Sequence, residues 1–152
     1  MAKEGRWEFC ERVKDTAAAM IFACTPDNRV LLVEEFRPPV GRRCLCFPAG
    51  LVGDESPESA AAAANRELEE ETGYTAERWT PLGCYMPVAA YSDEIITLFL
   101  AEGLKKGEQR FDEDEFLEVF TLPLAEAAQA CLDGRIMDGK TVAGILRAYY
   151  GK

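Results

Sequence analysis

Four glutamates crowd into five consecutive positions near the middle of the chain: Glu67, Glu69, Glu70 and Glu71. The surrounding segment predicts a helix, on which Glu67 shares one face with Glu70 and Glu71, three and four residues further along. Each such like-charge pair costs about 0.2 to 0.5 kcal/mol, and the negative end of the helix dipole adds to that cost. A divalent cation would reverse the sign of these interactions, and hard oxygen ligands suit Mg²⁺ or Mn²⁺. The cluster therefore favours a metal site on this helix face.

A solvated acidic face is the alternative interpretation of the same residues. On a helix, Arg66 can pair with Glu70 four residues later, and exposed glutamates need no further explanation. For an isolated glutamate-rich helix this is the commoner situation. The choice depends on the neighbouring sequence.

Composition limits what such a site can bind. The formal net charge is −10, which disfavours nucleic acid as a partner because a phosphate backbone selects for basic surface. A phosphate-bearing ligand would need a metal as mediator. The chain contains no histidine, so acid–base chemistry near neutral pH would have to use carboxylates.

The chain carries no sign of export or membrane insertion. No apolar run approaches the roughly 20 residues that a membrane helix needs, and Met1 to Trp7 lacks the charged-then-apolar order of a secretory signal. We expect a cytoplasmic protein without a membrane partner, and we expect its six cysteines to be reduced. The one close pair, Cys44 and Cys46, has no second pair and no histidine to complete a zinc site.

Apolar and turn patterns predict six strands and three helices. The predicted strands are Trp7 to Val13, Ala17 to Cys24, Val30 to Phe36, Trp79 to Met86, Ile95 to Ala101 and Phe116 to Leu122. The predicted helices are Pro57 to Thr72, Leu124 to Leu132 and Thr141 to Tyr150. This order predicts an α+β fold, and 152 residues suit one domain over residues 1–152.

The first helix has clear boundary signals. Ser56 suits the N-cap, Pro57 suits the first helical position, and Gly73 follows the last turn. We therefore expect the helix to begin at Pro57 and to end at Thr72.

The glutamates belong to a longer motif. From Gly50 to Tyr74 the chain reads G-x7-E-x7-R-E-L-x-E-E-x-G-Y. It closely resembles the Nudix box, G-x5-E-x7-R-E-U-x-E-E-x-G-U, where U is aliphatic. The loop before Glu58 is two residues longer, and Tyr74 replaces an aliphatic residue, but both departures lie outside the Arg66 to Glu71 core. The resemblance implies a Nudix-type α/β/α sandwich with a central mixed sheet.

The resemblance also implies roles for these residues. It assigns Mg²⁺ or Mn²⁺ binding to Glu67, Glu70, Glu71 and the backbone carbonyl of Ala49. Glu70 would thereby also be catalytic, and Arg66 would support catalysis. The implied reaction is metal-assisted displacement by water at the phosphorus of a diphosphate.

Other stretches resemble the ADP-ribose and nucleotide-sugar branch of that family. They are Leu31 to Arg37, Phe47 to Gly50, Ser92 to Glu94 and Asp133 to Thr141. In that branch the general base is sought in an acidic loop before the last strand. Here Glu113 and Glu115 are the candidates, because crowded carboxylates raise the pKa of one of them. A solvated, negatively charged loop is the alternative.

Three residues are candidates for substrate contact. The fixed donor fork of Arg37 suits a phosphate or the terminal ribose, although a surface ion pair with Glu34 or Glu35 is the alternative. Trp7 could stack on a base across a homodimer, which the resemblance implies, or it could be a core aromatic. Glu94 is the third candidate.

These features predict an enzyme that hydrolyses ADP-ribose to AMP and ribose 5-phosphate. Nucleotide sugars, NADH and diadenosine polyphosphates remain alternative substrates, and a nucleotide-binding module without hydrolysis is the alternative from another class. Cys46 stands where the branch usually has glutamate, and Pro87 to Tyr91 replaces a shorter turn. The substrate pocket is therefore expected to differ from that of the branch.

Overall fold

The computed structural model describes residues 1–11, 17–53, 56–107 and 117–151. Its strands in chain order are β1 (Ala2–Glu4), β2 (Trp7–Phe9), β3 (Ala18–Ala23), β4 (Arg29–Arg37), β5 (Arg42–Cys46), β6 (Ala49–Leu51), β7 (Tyr74–Thr75), β8 (Arg78–Tyr85), β9 (Ile96–Glu102), β10 (Lys105–Lys106) and β11 (Glu118–Pro123). Its helices are α1 (Ala60–Thr72), α2 (Leu124–Leu132) and α3 (Gly139–Tyr150), and a 3₁₀ turn spans Pro38–Val40.

Two sheets form the centre of the fold. One has the strand order β6-β3-β9-β8; its β3 and β9 are parallel and its other neighbours antiparallel, so this sheet is mixed. The other has the order β11-β4-β5 and is antiparallel. The remaining strands form two short antiparallel pairs, β1 with β2 and β7 with β10.

Strand β3 shows how the layers are arranged. Every residue of β3 is buried, and alternate side chains join two different core clusters. Met20 lies in the cluster that contains Leu124 of α2 and Ile145 of α3, whereas Ile21 lies in the cluster that contains Leu68 of α1. Helices therefore cover both faces of the sheet, and the predicted α+β fold, an α/β/α sandwich with a central mixed sheet, is confirmed.

The predicted start of α1 was wrong. The helix begins at Ala60, and Ser59 is the N-cap because its hydroxyl accepts a hydrogen bond from the Ala62 N–H at 3.2 Å. Ser56 and Pro57 precede the helix in irregular structure. The predicted end was right: Gly73 follows Thr72 with φ of 71°, a left-handed conformation that favours glycine.

Other element boundaries shifted or were missed. Helix α3 begins at Gly139, two residues before the prediction, because Asp138 caps it. Strands β5 and β6 were not predicted from sequence, since both are short and gain most of their support from pairing with β4 and β3. In the described part of the chain, no helix combines the length and the apolar character needed to cross a membrane.

Candidate active site

Gly50 brings strand β6 against the glutamate helix. A Cβ atom placed on Gly50 would lie 1.8 Å from Oε1 of Glu67, far inside any permitted contact. Only glycine therefore lets the Glu67 carboxylate lie directly on the β6 backbone in this conformation. The requirement explains why the motif begins with glycine at this position.

Glu71 reaches the same stretch of backbone one helical turn later. Its Oε2 accepts a hydrogen bond from the Ala49 N–H at 3.2 Å. Glu71 is only 5% exposed, and a carboxylate is seldom buried to that degree without a specific purpose. Glu71 is therefore not part of a solvated acidic face.

Arg66 joins the remaining glutamates. One of its guanidinium nitrogens lies 2.8 Å from Glu67 and 2.9 Å from Glu70, and the other lies 3.0 Å from Glu58. The latter also donates to the Leu51 carbonyl oxygen at 3.2 Å. The Arg66–Glu70 pair of the alternative interpretation is thus present, but as part of a network that fastens α1 to β6.

Arg66 and its glutamate partners stabilise each other's charged forms. Burial by itself would lower the pKa of Arg66, but the hydrogen bond to Glu58 and the charges of Glu67 and Glu70 raise it above its ordinary value. The same hydrogen bond lowers the pKa of Glu58. Both partners therefore stay ionised across the neutral pH range.

The donor atoms here fit a divalent cation by their chemistry. Glu67, Glu70 and Glu71 supply carboxylate oxygens from one side of α1, and hard oxygen ligands suit Mg²⁺ or Mn²⁺. As they stand, no three acidic, cysteine or histidine side chains among the described residues are grouped closely enough to hold a metal ion. A cation would therefore compete with Arg66 for Glu67 and Glu70.

A cleft of about 520 Å³ opens beside Ala49 and Gly50. Its lining comes from both sheets, the loop before β9 and the start of α3: Ala18, Arg37, Ala49, Gly50, Leu51, Pro87, Val88, Glu94, Ile96, Asp138, Gly139 and Lys140. Three residues that the sequence singled out separately, Arg37, Ala49 and Glu94, thus border one space.

Both interpretations of Arg37 describe what the structure contains. Its guanidinium forms an ion pair with Glu35, and the side chain also lines the cleft. Burial works against the charge, but the neighbouring Glu35 carboxylate raises the pKa of Arg37 above its ordinary value. Glu34, the other proposed partner, binds Arg43 at 2.9 Å instead.

Sequence reasoning missed the residues that α3 contributes. Asp138 accepts hydrogen bonds from the Thr141 N–H at 3.1 Å and from the Thr141 hydroxyl at 2.6 Å, and its other oxygen lies 2.7 Å from Lys140. The Thr141 oxygen in turn accepts from the Phe47 N–H at 3.0 Å. Burial would raise the pKa of Asp138, but Lys140 and Thr141 lower it below its ordinary value. Two sequence signals covered this segment: an aspartate three residues before a threonine is compatible with an N-cap, and Asp133 to Thr141 resembles the ADP-ribose branch. Neither singled out Lys140.

Trp7 lies apart from this cleft. It is 60% exposed, so the core-aromatic alternative was wrong, and the Arg6 guanidinium lies 5.8 Å from its ring centroid. Trp7 and Phe9 line a second, mainly apolar cavity of about 620 Å³. Ser92 and Asp93 border this second cavity, whereas Glu94 borders the first.

Similarity to known proteins decides the family. The model of the NUDIX domain matches residues 14–143, which contain the whole motif from Gly50 to Tyr74. The chain belongs to the NUDIX hydrolase family. Its first helix and the β6 glycine are therefore the NUDIX motif of this protein.

Relatives of this NUDIX chain include two proteins from Bacillus species. It is 39% identical to the methanol dehydrogenase activator of Bacillus methanolicus over 137 residues, which are 89% of this chain and 73% of that protein. It is 38% identical to the ADP-ribose pyrophosphatase of Bacillus subtilis (strain 168) over 138 residues, with the same coverage of 89% and 73%. A crystal structure of an ADP compounds hydrolase matches with a TM-score of 0.72 and 26% identity, covering 91% of this chain and 74% of that one.

The structure does not place the two candidates for the general base of this NUDIX chain. Glu113 and Glu115 lie in residues 108–116, outside the described residues. Their role stays a prediction from resemblance.

Proposed function

We propose that this chain hydrolyses the diphosphate bond of ADP-ribose and releases AMP and ribose 5-phosphate. One observation carries the proposal: the same cleft is bordered by the Ala49–Gly50 backbone, on which Glu67 and Glu71 lie, and by the cationic side chain of Arg37. Arginine and a bound metal ion are the groups that commonly neutralise the negative charge of a diphosphate. Similarity to an ADP-ribose pyrophosphatase supports the choice of nucleotide.

The proposed metal is Mg²⁺ or Mn²⁺, held by Glu67, Glu70, Glu71 and the Ala49 carbonyl oxygen. When bound, it would neutralise the diphosphate and lower the pKa of the attacking water. The chain's own contribution is positioning: Gly50 leaves room for one carboxylate, and Arg66 fixes the helix against β6.

The covalent step is displacement at one phosphorus. Water oxygen bonds to that phosphorus, the bond to the bridging oxygen breaks, and the second phosphate monoester leaves with the electron pair. The proton of the water goes to a carboxylate, for which we propose Glu115 or Glu113. Arg37 holds the leaving or transferred phosphate in line by its donor fork.

Contacts outside the diphosphate complete the proposal. Glu94, which borders the cleft, would accept hydrogen bonds from ribose hydroxyls. Trp7, with its exposed ring, would stack on adenine bound to the partner copy of a homodimer. We also propose a cytoplasmic location, in which the six cysteines would stay reduced.

The deciding experiment measures phosphate-monoester release from a substrate panel with Mg²⁺, Mn²⁺ or EDTA. The panel contains ADP-ribose, ADP-glucose, GDP-mannose, NADH, diadenosine polyphosphates and dNTPs. Metal-dependent formation of AMP and ribose 5-phosphate is the expected result. If the protein hydrolyses only another member of the panel, that compound replaces ADP-ribose as the proposed substrate. Tight ADP-ribose binding without any turnover would show that the protein is a nucleotide-binding module and not an enzyme.

A further inference from the structure

Two cations line the cleft within the described residues, and they come from different elements. Arg37 ends β4, and Lys140 lies in the first turn of α3. Each has a carboxylate beside it, Glu35 for Arg37 and Asp138 for Lys140. On a chain with a formal net charge of −10, such a local pair of cations is the part of the cleft that can attract an anionic ligand.

The hydrogen bonds that cap α3 do not involve Lys140. Asp138 caps α3 through one carboxylate oxygen, which receives both hydrogen bonds from Thr141. Its second oxygen holds Lys140. The positive end of a helix dipole disfavours a cation in the first turn. The lysine therefore occupies a position that helix stability alone would leave to another residue type.

Lys140 is also held in a fixed relation to the β6 backbone that lines the cleft. The Thr141 side chain is fully buried, and its oxygen accepts the Phe47 N–H, which precedes Ala49 by two residues. Farther along α3, a Cβ on Gly144 would lie 2.5 Å from the Phe47 ring, so the helix packs directly on that ring. The first turn of α3 and the β6 segment are thus fastened together.

We infer that Lys140 is a further substrate-binding residue, whose ammonium donates to a phosphate oxygen of the nucleoside diphosphate beside Arg37. Asp138 is its positioning residue. The inference rests on the proposed function and names the group that the lysine would recognise. Lysine suits this task because its compact charge complements the planar fork of arginine.

The test compares Lys140→Met with Lys105→Met. Lys105 is a matched control because it forms a surface ion pair with Glu77 at 2.9 Å and lies outside the cleft. ADP-ribose affinity is measured by calorimetry in EDTA, and KM and kcat are measured with Mg²⁺. For Lys140→Met we expect Kd and KM to rise about 10- to 100-fold with a smaller change in kcat, since the lost contact is charge-assisted. Lys140→Arg should recover part of the loss, and Lys105→Met should match the wild type.

Equal Kd and KM for Lys140→Met, Lys105→Met and the wild type would overturn the inference while leaving the proposed function intact. If the wild type hydrolyses another member of the panel, the same variants are compared on that substrate. If the wild type neither binds nor hydrolyses any compound of the substrate panel, both the proposed function and the role of Lys140 are refuted. Should Lys140→Met fail to fold, Asp138→Asn decides: it keeps an oxygen for Thr141 but loosens Lys140, so a severalfold rise in KM is expected and an unchanged KM contradicts the inference.

Discussion

Helices α1 and α3 approach the same cleft with opposite ends and opposite charges. Lys140 of α3 lines the cleft itself. Helix α1 contributes no lining residue, but its Glu67 and Glu71 lie against the β6 backbone that does line it. Helix α1 ends in glutamates, where the dipole disfavours anions, and α3 begins with Lys140, where it disfavours cations. Helix α2 contributes no residue to the cleft lining and follows the usual preference, with Glu126 in its first turn. The two helix ends whose side-chain charges oppose the helix dipole are thus the ones that lie in the cleft lining or against its β6 backbone.

The two ends also differ in how their charges are held. On α1, Glu67 and Glu71 lie on the backbone of β6. Glu67 and Glu70 both pair with Arg66. The α3 lysine has a carboxylate of its own, two residues away in the chain. Changes at α1 should therefore affect chemistry most, whereas changes at α3 should affect binding and stability.

Glu71→Gln should give the largest effect. The amide can still accept the Ala49 N–H, so the fold is kept, but one carboxylate of the proposed metal set is lost. Metal stabilisation of the transition state is worth several kcal/mol, so kcat should fall by about 10²- to 10³-fold. The control is Glu69→Gln on the same helix, which should keep wild-type kcat. A Glu71→Gln protein with more than about a tenth of wild-type kcat would refute the proposed metal role.

Gly50→Ala should have the next largest effect. The added methyl group would displace the Glu67 carboxylate, which now lies 1.8 Å from the Cβ position. Because a misplacement of about 1 Å can cost roughly 10²-fold, we expect kcat to fall about 10- to 100-fold. Thermal denaturation should change little, since the end of a flexible side chain can move aside.

A double-mutant cycle separates this mechanism from a general disturbance of β6. In the Glu67→Gln background, Gly50→Ala should reduce kcat no further if the methyl group acts through Glu67. Fully additive losses would contradict that explanation.

The two helix caps should differ in stability. Asp138→Ala removes two hydrogen bonds to Thr141 in a half-buried setting, whereas Ser59→Ala removes one exposed bond. We expect the free energy of unfolding to fall by about 1 to 2 kcal/mol for Asp138→Ala and by about 0.5 to 1 kcal/mol for Ser59→Ala. Urea denaturation measures both. Equal losses would show that the burial of the α3 cap adds nothing.

Titration of the Cys46 thiol should have the smallest effect on stability near neutral pH. Cys46 lies beside Glu35, the ion-pair partner of Arg37. Burial, and next the charge of Glu35, raise the pKa of this thiol from 9.0 to about 12. The folded protein therefore holds the proton more tightly than the unfolded chain. The resulting stability is present below pH 9 and is lost as pH rises from 9 toward 12.

Cys46→Ala measures this contribution. The difference in unfolding free energy between wild type and variant should be constant up to about pH 9. Above that it should shrink, by less than about 1.4 kcal/mol per pH unit. A difference that stays constant up to pH 11 would show that the thiol does not titrate as described.

The sequence by itself determined the features that depend on near neighbours. Glu67 and Glu71 share a face because they are four residues apart, and α1 ends where Gly73 can adopt a left-handed conformation. The motif around them was also sufficient to indicate the family. Local sequence did not predict the start of α1 correctly, because Ser56 and Ser59 are both suitable N-cap residues. The helix begins after Ser59. Glu58, which precedes the helix, pairs with Arg66.

Only the tertiary structure decided what stands opposite the glutamates. Short strands such as β6 exist because a long buried strand pairs with them, and their own residues have little preference for that conformation. Lys140 joins the cleft through Thr141 and Phe47, which are 94 residues apart in the chain. Contacts over such distances depend on how the layers pack, and no periodicity or spacing along the sequence encodes them.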